Sequence, residues 1–239
     1  MPRIFLLLAA ALLFVPQLVV AQETAPTINY VGFNYFKSDQ LAQNKKIFSD
    51  YIEKLVPIMD RHGMTLETYR VAHGGSDFLK AHAITVGTAP SQESFAGFAA
   101  DPDFHEIFPT LVGIIEAHTV VFSEDVIEPV SRDESGHLLL ATAWLKEGRA
   151  DSLEALLKLE QGTAAERQKF GVELQVRTVG VMASRGLTDD LESITPPDVM
   201  ALWRVNDAHG YFDASKVQDF TGRSQKYFEE HTSFWLQPW

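Results

Sequence analysis

The stretch DPDFH sets Asp101, Asp103 and His105 at alternate positions, with Glu106 beside them. Carboxylates and imidazoles are ligand types that hold a divalent metal. The same letters also open a helix, the Asp carboxylates accepting from the free N–H groups of its first turn. We adopt the capping reading and expect no metal site. A second group, HGG at His73 to Gly75 with His82 nearby, can face a pocket where two strands turn. Equally, it can be a turn whose glycines need positive φ. Asn34 stands in the middle of the aromatic strand INYVGFNYFK and shares a face with Tyr30 and Phe36 by period-two spacing. We assign that face to a barrel interior. A polar group so placed must hydrogen bond to backbone, water or ligand, which makes Tyr30 and Asn34 candidate ligand contacts together with His73. Arg70, Arg177 and Arg204 sit within strands; Arg177 and Arg204 can grip a ligand carboxylate in a fork or pair with neighbouring acids. Trp144 and Trp203 either line a ligand site or fill the core.

Several chemistries are excluded at once. The chain has no Cys, hence no thiol catalysis, disulfide or cysteine lipidation. It contains no G-x-x-x-x-G-K-[ST] loop, no G-x-G-x-x-G after a strand and no G-x-S-x-G elbow. Twenty basic residues against 32 acidic give a net charge of −12, which repels phosphate backbones and anionic lipid surfaces. Neither nucleic acid nor a membrane is therefore an expected partner. A strongly anionic ligand needs a local basic group to offset that charge.

The first 21 residues, MPRIFLLLAAALLFVPQLVVA, read as a secretory signal. Arg3 supplies the positive start, Ile4 to Val15 the apolar run, and Ala21 the small residue before a cut at Gln22. The run is too short for a membrane span, which needs about 20 apolar residues. An exported chain without cysteine suits a periplasm or a secreted location.

The elements that position these residues come in two similar sets. In the first, Ile28 to Lys37 reads as a strand, followed by a helix with Phe48, Tyr51, Ile52, Leu55 and Met59 at helical spacing and Gly63 at its end. Strands at Met64 to Ala72 and Ala81 to Ala89, a helical region from Ser91 and the strand HTVVF complete a βαββαβ order. The second set runs HLLLATAWL, an amphipathic helix interrupted near Gly162, GVELQVRTVGVM, DVMALWRV, a helical stretch from about Ala214, and SFWLQPW. Glu116-Ala117-His118-Thr119 and Glu230-His231-Thr232 mark the same place in each. The expected division is a signal at 1–21 and repeats at 22–130 and 131–239, joined through the polar IEPVSRDESG. This is an α+β chain of two tandem ferredoxin-like repeats. VVF, LLLATAWL and VMALW are apolar on both faces, so the antiparallel sheets must bury their second faces against each other, as an intrachain α/β barrel.

The first half resembles the dimeric α/β-barrel superfamily, and within it a group of small bacterial proteins of unknown function. The likeness lies in YIEKLVPIMDRHG, in a strand ending VAHGG, and in an apolar strand followed by SQESFAGFAADPDF. Where that group carries Arg-Gly-Gly, this chain has His73 before Gly74-Gly75; the second half keeps only Arg185-Gly186. The resemblance implies the fold and a wide range of activities, from haem-associated and cofactor-independent oxygenases to isomerases and plain ligand binders. In oxygenases of that kind a strand-one Asn, a Trp and a helix His cooperate, which implies Asn34 and His105 as catalytic candidates. No Trp accompanies them, since all four lie in the second half. The expectation is a binder of a small apolar or aromatic ligand, acting as a monomeric pseudo-dimer or a homodimer. No cofactor is expected, haem entering only through the resemblance. An oxygenase or isomerase, and a structural or interaction module, stand as alternatives.

Overall fold

The computed structural model describes residues 27–76, 79–123, 137–146, 149–179, 183–185 and 197–239. The leader at 1–21 and the joint at 127–136 lie outside them. The first repeat runs β1 (Ile28–Phe36), α1 (Leu41–Arg61), β2 (Thr65–Gly74), β3 (Ala83–Ala89), α2 (Gln92–Ala99), α3 (Pro102–Ile114) and β4 (Ile115–Ser123). The second runs β5 (His137–Leu145), α4 (Arg149–Gln161), α5 (Ala164–Lys169), β6 (Val172–Val179), β7 (Ala183–Arg185), β8 (Val199–Val205), α6 (Ala208–Asp213), α7 (Ser215–Ser224) and β9 (Phe228–Pro238). Helix boundaries follow the local chemistry. Ser91 caps α2 by accepting from the Ser94 N–H at 3.1 Å. Gly63, at φ 66°, ends α1 with its N–H donating back to the Asp60 carbonyl. Gly162 separates α4 from α5.

The strands form one antiparallel sheet in the order β6-β8-β5-β9-β2-β3-β1-β4-β7. Its two end strands belong to the same chain segment: Val179 and Ala183 can be no more than about 14 Å apart. The ladder therefore returns on itself, and with β6 and β7 taken as one strand the sheet is a barrel. In each repeat the second strand hands over between partners. β2 pairs with β3 over Thr65 to Arg70 and with β9 of the other repeat over Tyr69 to Gly74. Likewise β6 pairs with β8, and β7 with β4 of the first repeat over Val120 to Phe122. A register shift at Tyr35/Phe36 in β1 recurs at Trp144/Leu145 in β5. A shared irregularity of this kind marks the halves as copies.

At the β2–β9 seam, Gly74 and Gly75 both take positive φ, 118° and 92°. A Cβ at Gly74 would stand 2.1 Å from the Ser233 carbonyl oxygen. The HGG turn is thus required by the close approach of β9 and needs no ligand to explain it.

Apolar burial falls into three clusters. Val31, Phe33, Ile84, Val121, Leu138, Leu140, Trp144, Met200, Phe234 and Leu236 fill the barrel. Tyr30, Phe36, Phe48, Tyr51, Leu55 and Phe104 belong to the layer between the first repeat's sheet and its helices. Leu145, Leu156 and Val199, with Leu153 and Phe228, form the corresponding layer of the second repeat. The face holding Tyr30, Asn34 and Phe36 is therefore the helix-facing one, and Val31 and Phe33 are the residues of β1 that enter the barrel. Among the described residues no helix is long and apolar enough to cross a bilayer.

Candidate functional site

The packed barrel leaves the outer, helix-facing surfaces of the two sheets as the places where a ligand can reach the protein. In the first repeat that surface is largely covered, with Tyr30 and Asn34 buried and Leu66 and Phe122 half-buried. Asn34 stands opposite Ala83 on one side and His118 on the other, and its amide donates to the Gly32 and Ala83 carbonyls at 3.4 Å each. His118 is buried, and its Nδ1 finds no hydrogen-bond partner among the described residues. Burial pushes its pKa down to about 3, against a backbone hydrogen bond at Phe33 that acts in the opposite sense; the ring is neutral at ordinary pH. A Cβ at Gly32 would meet Thr85 Oγ1 at 2.4 Å, so no space is left between these strands. His82 closes the end of the sheet, with its ring stacked on Tyr35 at 4.5 Å and its Nδ1 accepting the Phe36 N–H at 3.0 Å.

One row across each sheet shows how the two repeats differ. In the first, Leu66, Gly87, Tyr30 and Phe122 stand side by side on β2, β3, β1 and β4. The Tyr30 ring lies over Gly87, where a Cβ would come within 2.1 Å of its hydroxyl. That hydroxyl donates to the Thr65 carbonyl, and burial raises its pKa far above the usual phenol range. Phe95 of α2 covers Phe122 at 5.3 Å. In the second repeat the same row reads Leu174, Trp203, Leu139 and Trp235, and it continues onto His73 of β2. Here Leu139 and Ala141, on a central strand, stay half-exposed, as do Trp203 and Trp235, while Ser233 and His73 are exposed. Leu174, at 39%, is an exposed large hydrophobic residue. Small residues occupy the neighbouring row, Ala201, Ala141 and Ser233. The result is a trough with a flat apolar floor, Trp203 and Trp235 standing about 10 Å apart across β5.

Its two ends differ chemically. At the Trp235 end, His137 meets the indole edge-on at 5.9 Å. At the other, the Arg167 guanidinium lies 5.1 Å over the Trp203 ring. Arg167 Nη1 donates to the Glu160 carbonyl at 2.9 Å and to Thr163 Oγ1 at 2.8 Å, and it pairs with the Glu160 carboxylate at 3.5 Å. Leu157, Glu160, Gln161, Arg167 and Leu174 line a cleft of about 180 Å³. Leu174 borders both the cleft and the trough. Tyr211 is close enough to Arg167 and Glu160 to feel both charges; burial is the main reason its pKa is raised.

The residues singled out in the sequence separate accordingly. Trp203 and His73 share the open row. Tyr30 and Asn34 belong to the covered layer of the first repeat, and Trp144 is buried inside the barrel. Arg177 stands opposite Ala201 in the ladder, at the edge of the small-residue row; its side chain lies outside the described residues. His105 lies on α3 beside Phe104, ring to ring at 5.9 Å, while the histidine across from Asn34 is His118. Asp101 caps α3 by accepting from the Asp103 N–H at 2.9 Å. Hydrogen bonds from His62, then Arg61, hold its carboxyl well below the usual range. Among the described residues no group of three ligating side chains could hold a metal. Arg204, buried on the barrel-facing side of β8, has Glu173 Oε2 at 4.0 Å. Sequence reasoning passed over Trp235, Leu139, Arg167 and His118. The period-two face shared by Leu139, Ala141 and Ala143 was the available signal for the first two, and the repeated His-Thr pair for the last.

Three of the described histidines are already engaged or enclosed. His118 is enclosed, His82 spends its Nδ1 on a backbone N–H, and His62 is held by Asp101 at 2.9 Å. The cleft beside Arg167, at about 180 Å³, has no histidine in its lining and is below the roughly 300–1,000 Å³ of sites that enclose cofactor-sized ligands.

Compared by sequence, the chain matches no protein-family profile and no curated protein. Its fold does find counterparts among solved structures. An anthrone oxidase-like protein superposes with a TM-score of 0.58 at 16% identity, over 92% of this chain and 94% of that one. A chlorite dismutase variant from Candidatus Nitrospira defluvii gives 0.55 at 9% identity, over 90% and 93%. A candidate monooxygenase from Lactobacillus acidophilus NCFM gives 0.51 at 9%, over 89% and 93%. The shared feature is the fold: this chain has a dimeric α/β-barrel fold, with both ferredoxin-like repeats in one polypeptide.

Proposed function

We propose that this protein binds a planar, largely apolar aromatic small molecule on the outer face of its second repeat. The carrying observation is the half-open row Leu174, Trp203, Leu139 and Trp235 on strands that should be fully covered. A continuous apolar patch of this kind, with polar groups at its ends, is a common mark of a ligand groove. Flat indoles and a floor of Ala141, Ala201 and Ser233 suit a flat ligand, because a bulkier floor would hold it off the sheet. Oxygenase-type conversion of that ligand is the second reading, favoured by the likeness to proteins named for anthrone oxidation and monooxygenation. We further propose that the protein acts as a monomer outside the cytoplasm. Both barrel seams are satisfied within one chain, and residues 1–21 supply the export signal.

The test is a titration with naphthalene followed by calorimetry or tryptophan fluorescence. Saturable binding is expected, weakened tenfold or more by Trp203→Ala or Trp235→Ala and unchanged by Asn34→Ala. Absence of saturable naphthalene binding, or binding indifferent to both tryptophans, rejects the reading. Mass analysis of the exported protein should find Gln22 at its N-terminus.

A further inference from the structure

We infer that Arg167 makes this groove selective for aromatic ligands carrying a single anionic oxygen group, a carboxylate or phenolate, at one end. The inference rests on the binding reading above. A guanidinium presents five N–H donors in a fixed fork. In Arg167 the bonds to protein all fall on Nη1: to the Glu160 carbonyl, Thr163 Oγ1 and the Glu160 carboxylate. Among the described residues nothing engages its Nε or Nη2. Yet the side chain is only 16% exposed, and it lines a cleft whose border residue Leu174 also belongs to the groove. Three donors of a largely desolvated cation are thus left to whatever occupies the cleft, in the geometry that accepts a carboxylate in two parallel bonds.

The surroundings hold the fork still. Thr163 and Glu160 fix one edge, and the Trp203 ring fixes its plane from below. A ligand lying on Leu139 and Trp235 reaches Arg167 with its edge, since one face of Trp203 is already taken. Glu160 offsets part of the charge, which favours a monoanion over a dianion and keeps the preference moderate. This arrangement also answers the −12 net charge, which otherwise repels an anionic ligand: Arg167 supplies the offset locally.

The experiment compares two probes, naphthalene and 2-naphthoate, on the full-length mature protein and on Arg167→Gln and Arg167→Lys. Wild type should bind 2-naphthoate about tenfold more tightly than naphthalene. Arg167→Gln should bring that ratio to one or below, and Arg167→Lys should keep part of the preference. The ratio within one variant is insensitive to a general loss of stability, and thermal melts identify a variant that fails to fold. Equal binding of both probes to wild type, or a preference that survives in Arg167→Gln, overturns the inference and leaves the groove reading intact. Failure of naphthalene to bind at all removes the groove reading itself.

Discussion

The two repeats share strand order, bulge position and seam geometry, yet equivalent positions carry opposite solutions. Tyr30 lies across Gly87 and is buried; its counterpart Leu139 faces Trp203 and stays half-exposed. Asn34 opposes a buried His118, whereas Ala143 opposes an exposed His231. Phe122 has Phe95 against it; Trp235, in the same register position, has the exposed His137 at its edge. The centre of the row is thus closed in one copy, by Tyr30 over Gly87, and less covered in the other, at Leu139 and Trp203. Duplication permits this, because a barrel needs both sheets to close while one packed helix layer can anchor the pair.

Removing what the copies share should have the largest effect. β9 lies between β5 and β2, and Phe234 and Leu236 fill the barrel. Trp239 reaches the first repeat's helix layer, 5.1 Å from Phe48. Deleting Phe234 to Trp239 should therefore abolish cooperative unfolding of the whole chain, as judged by loss of a sigmoidal denaturant transition. If only the second half melts, the coupling is weaker than the seam implies. Next in size, Tyr30→Ala should cost about 3–5 kcal/mol, whereas Leu139→Ala at the equivalent position should cost about 1 kcal/mol. Equal costs from denaturant titration would mean that the second layer is as closed as the first.

Most of this architecture was legible in the sequence, and the reasons are local. Period-two and helical spacing, Gly63, Gly162 and the repeated His-Thr pair set the elements, and strands apolar on both faces required a second sheet. What sequence could not supply was which of two apolar faces points inward. Tyr30, Asn34 and Phe36 looked like an interior set because β1 is apolar on both sides; the register with β3 and β4 turns them toward the helices. The short β7 also escaped notice. Its three residues, ASR, carry no periodic signal, and only pairing with β4 makes them a strand. The open row was hidden for a related reason, because Trp203 and Trp235 read as core wherever exposure is unknown.

His118 gives an effect of intermediate size. His118 is neutral in the folded protein with a pKa lowered to about 3 by burial, while an unfolded histidine titrates near 6.5. Between those values the unfolded state binds the extra proton. Stability should therefore be intact above about pH 6.5 and fall by up to about 1.4 kcal/mol per pH unit as acidity increases toward 3. His118→Gln should flatten that slope in urea titrations from pH 7 to 4. An unchanged slope in His118→Gln would show that the ring is not desolvated as its burial implies. The smallest stability effect belongs to Trp203→Ala, expected below about 1.5 kcal/mol because the ring is half-exposed. A core-like loss of about 3–5 kcal/mol would make Trp203 a core residue after all.

The indole N–H signals offer the most direct measurement of the division between the copies. The chain has four tryptophans, so a nitrogen–proton correlation spectrum contains four such peaks, each assignable by a single Trp→Phe variant. On adding naphthalene, the signals of Trp203 and Trp235 should shift together and saturably, while those of Trp144 in the barrel and Trp239 beside Phe48 stay fixed. Shifts confined to Trp144 or Trp239, or no shift in any of the four, would contradict the assignment of the ligand face to the second repeat.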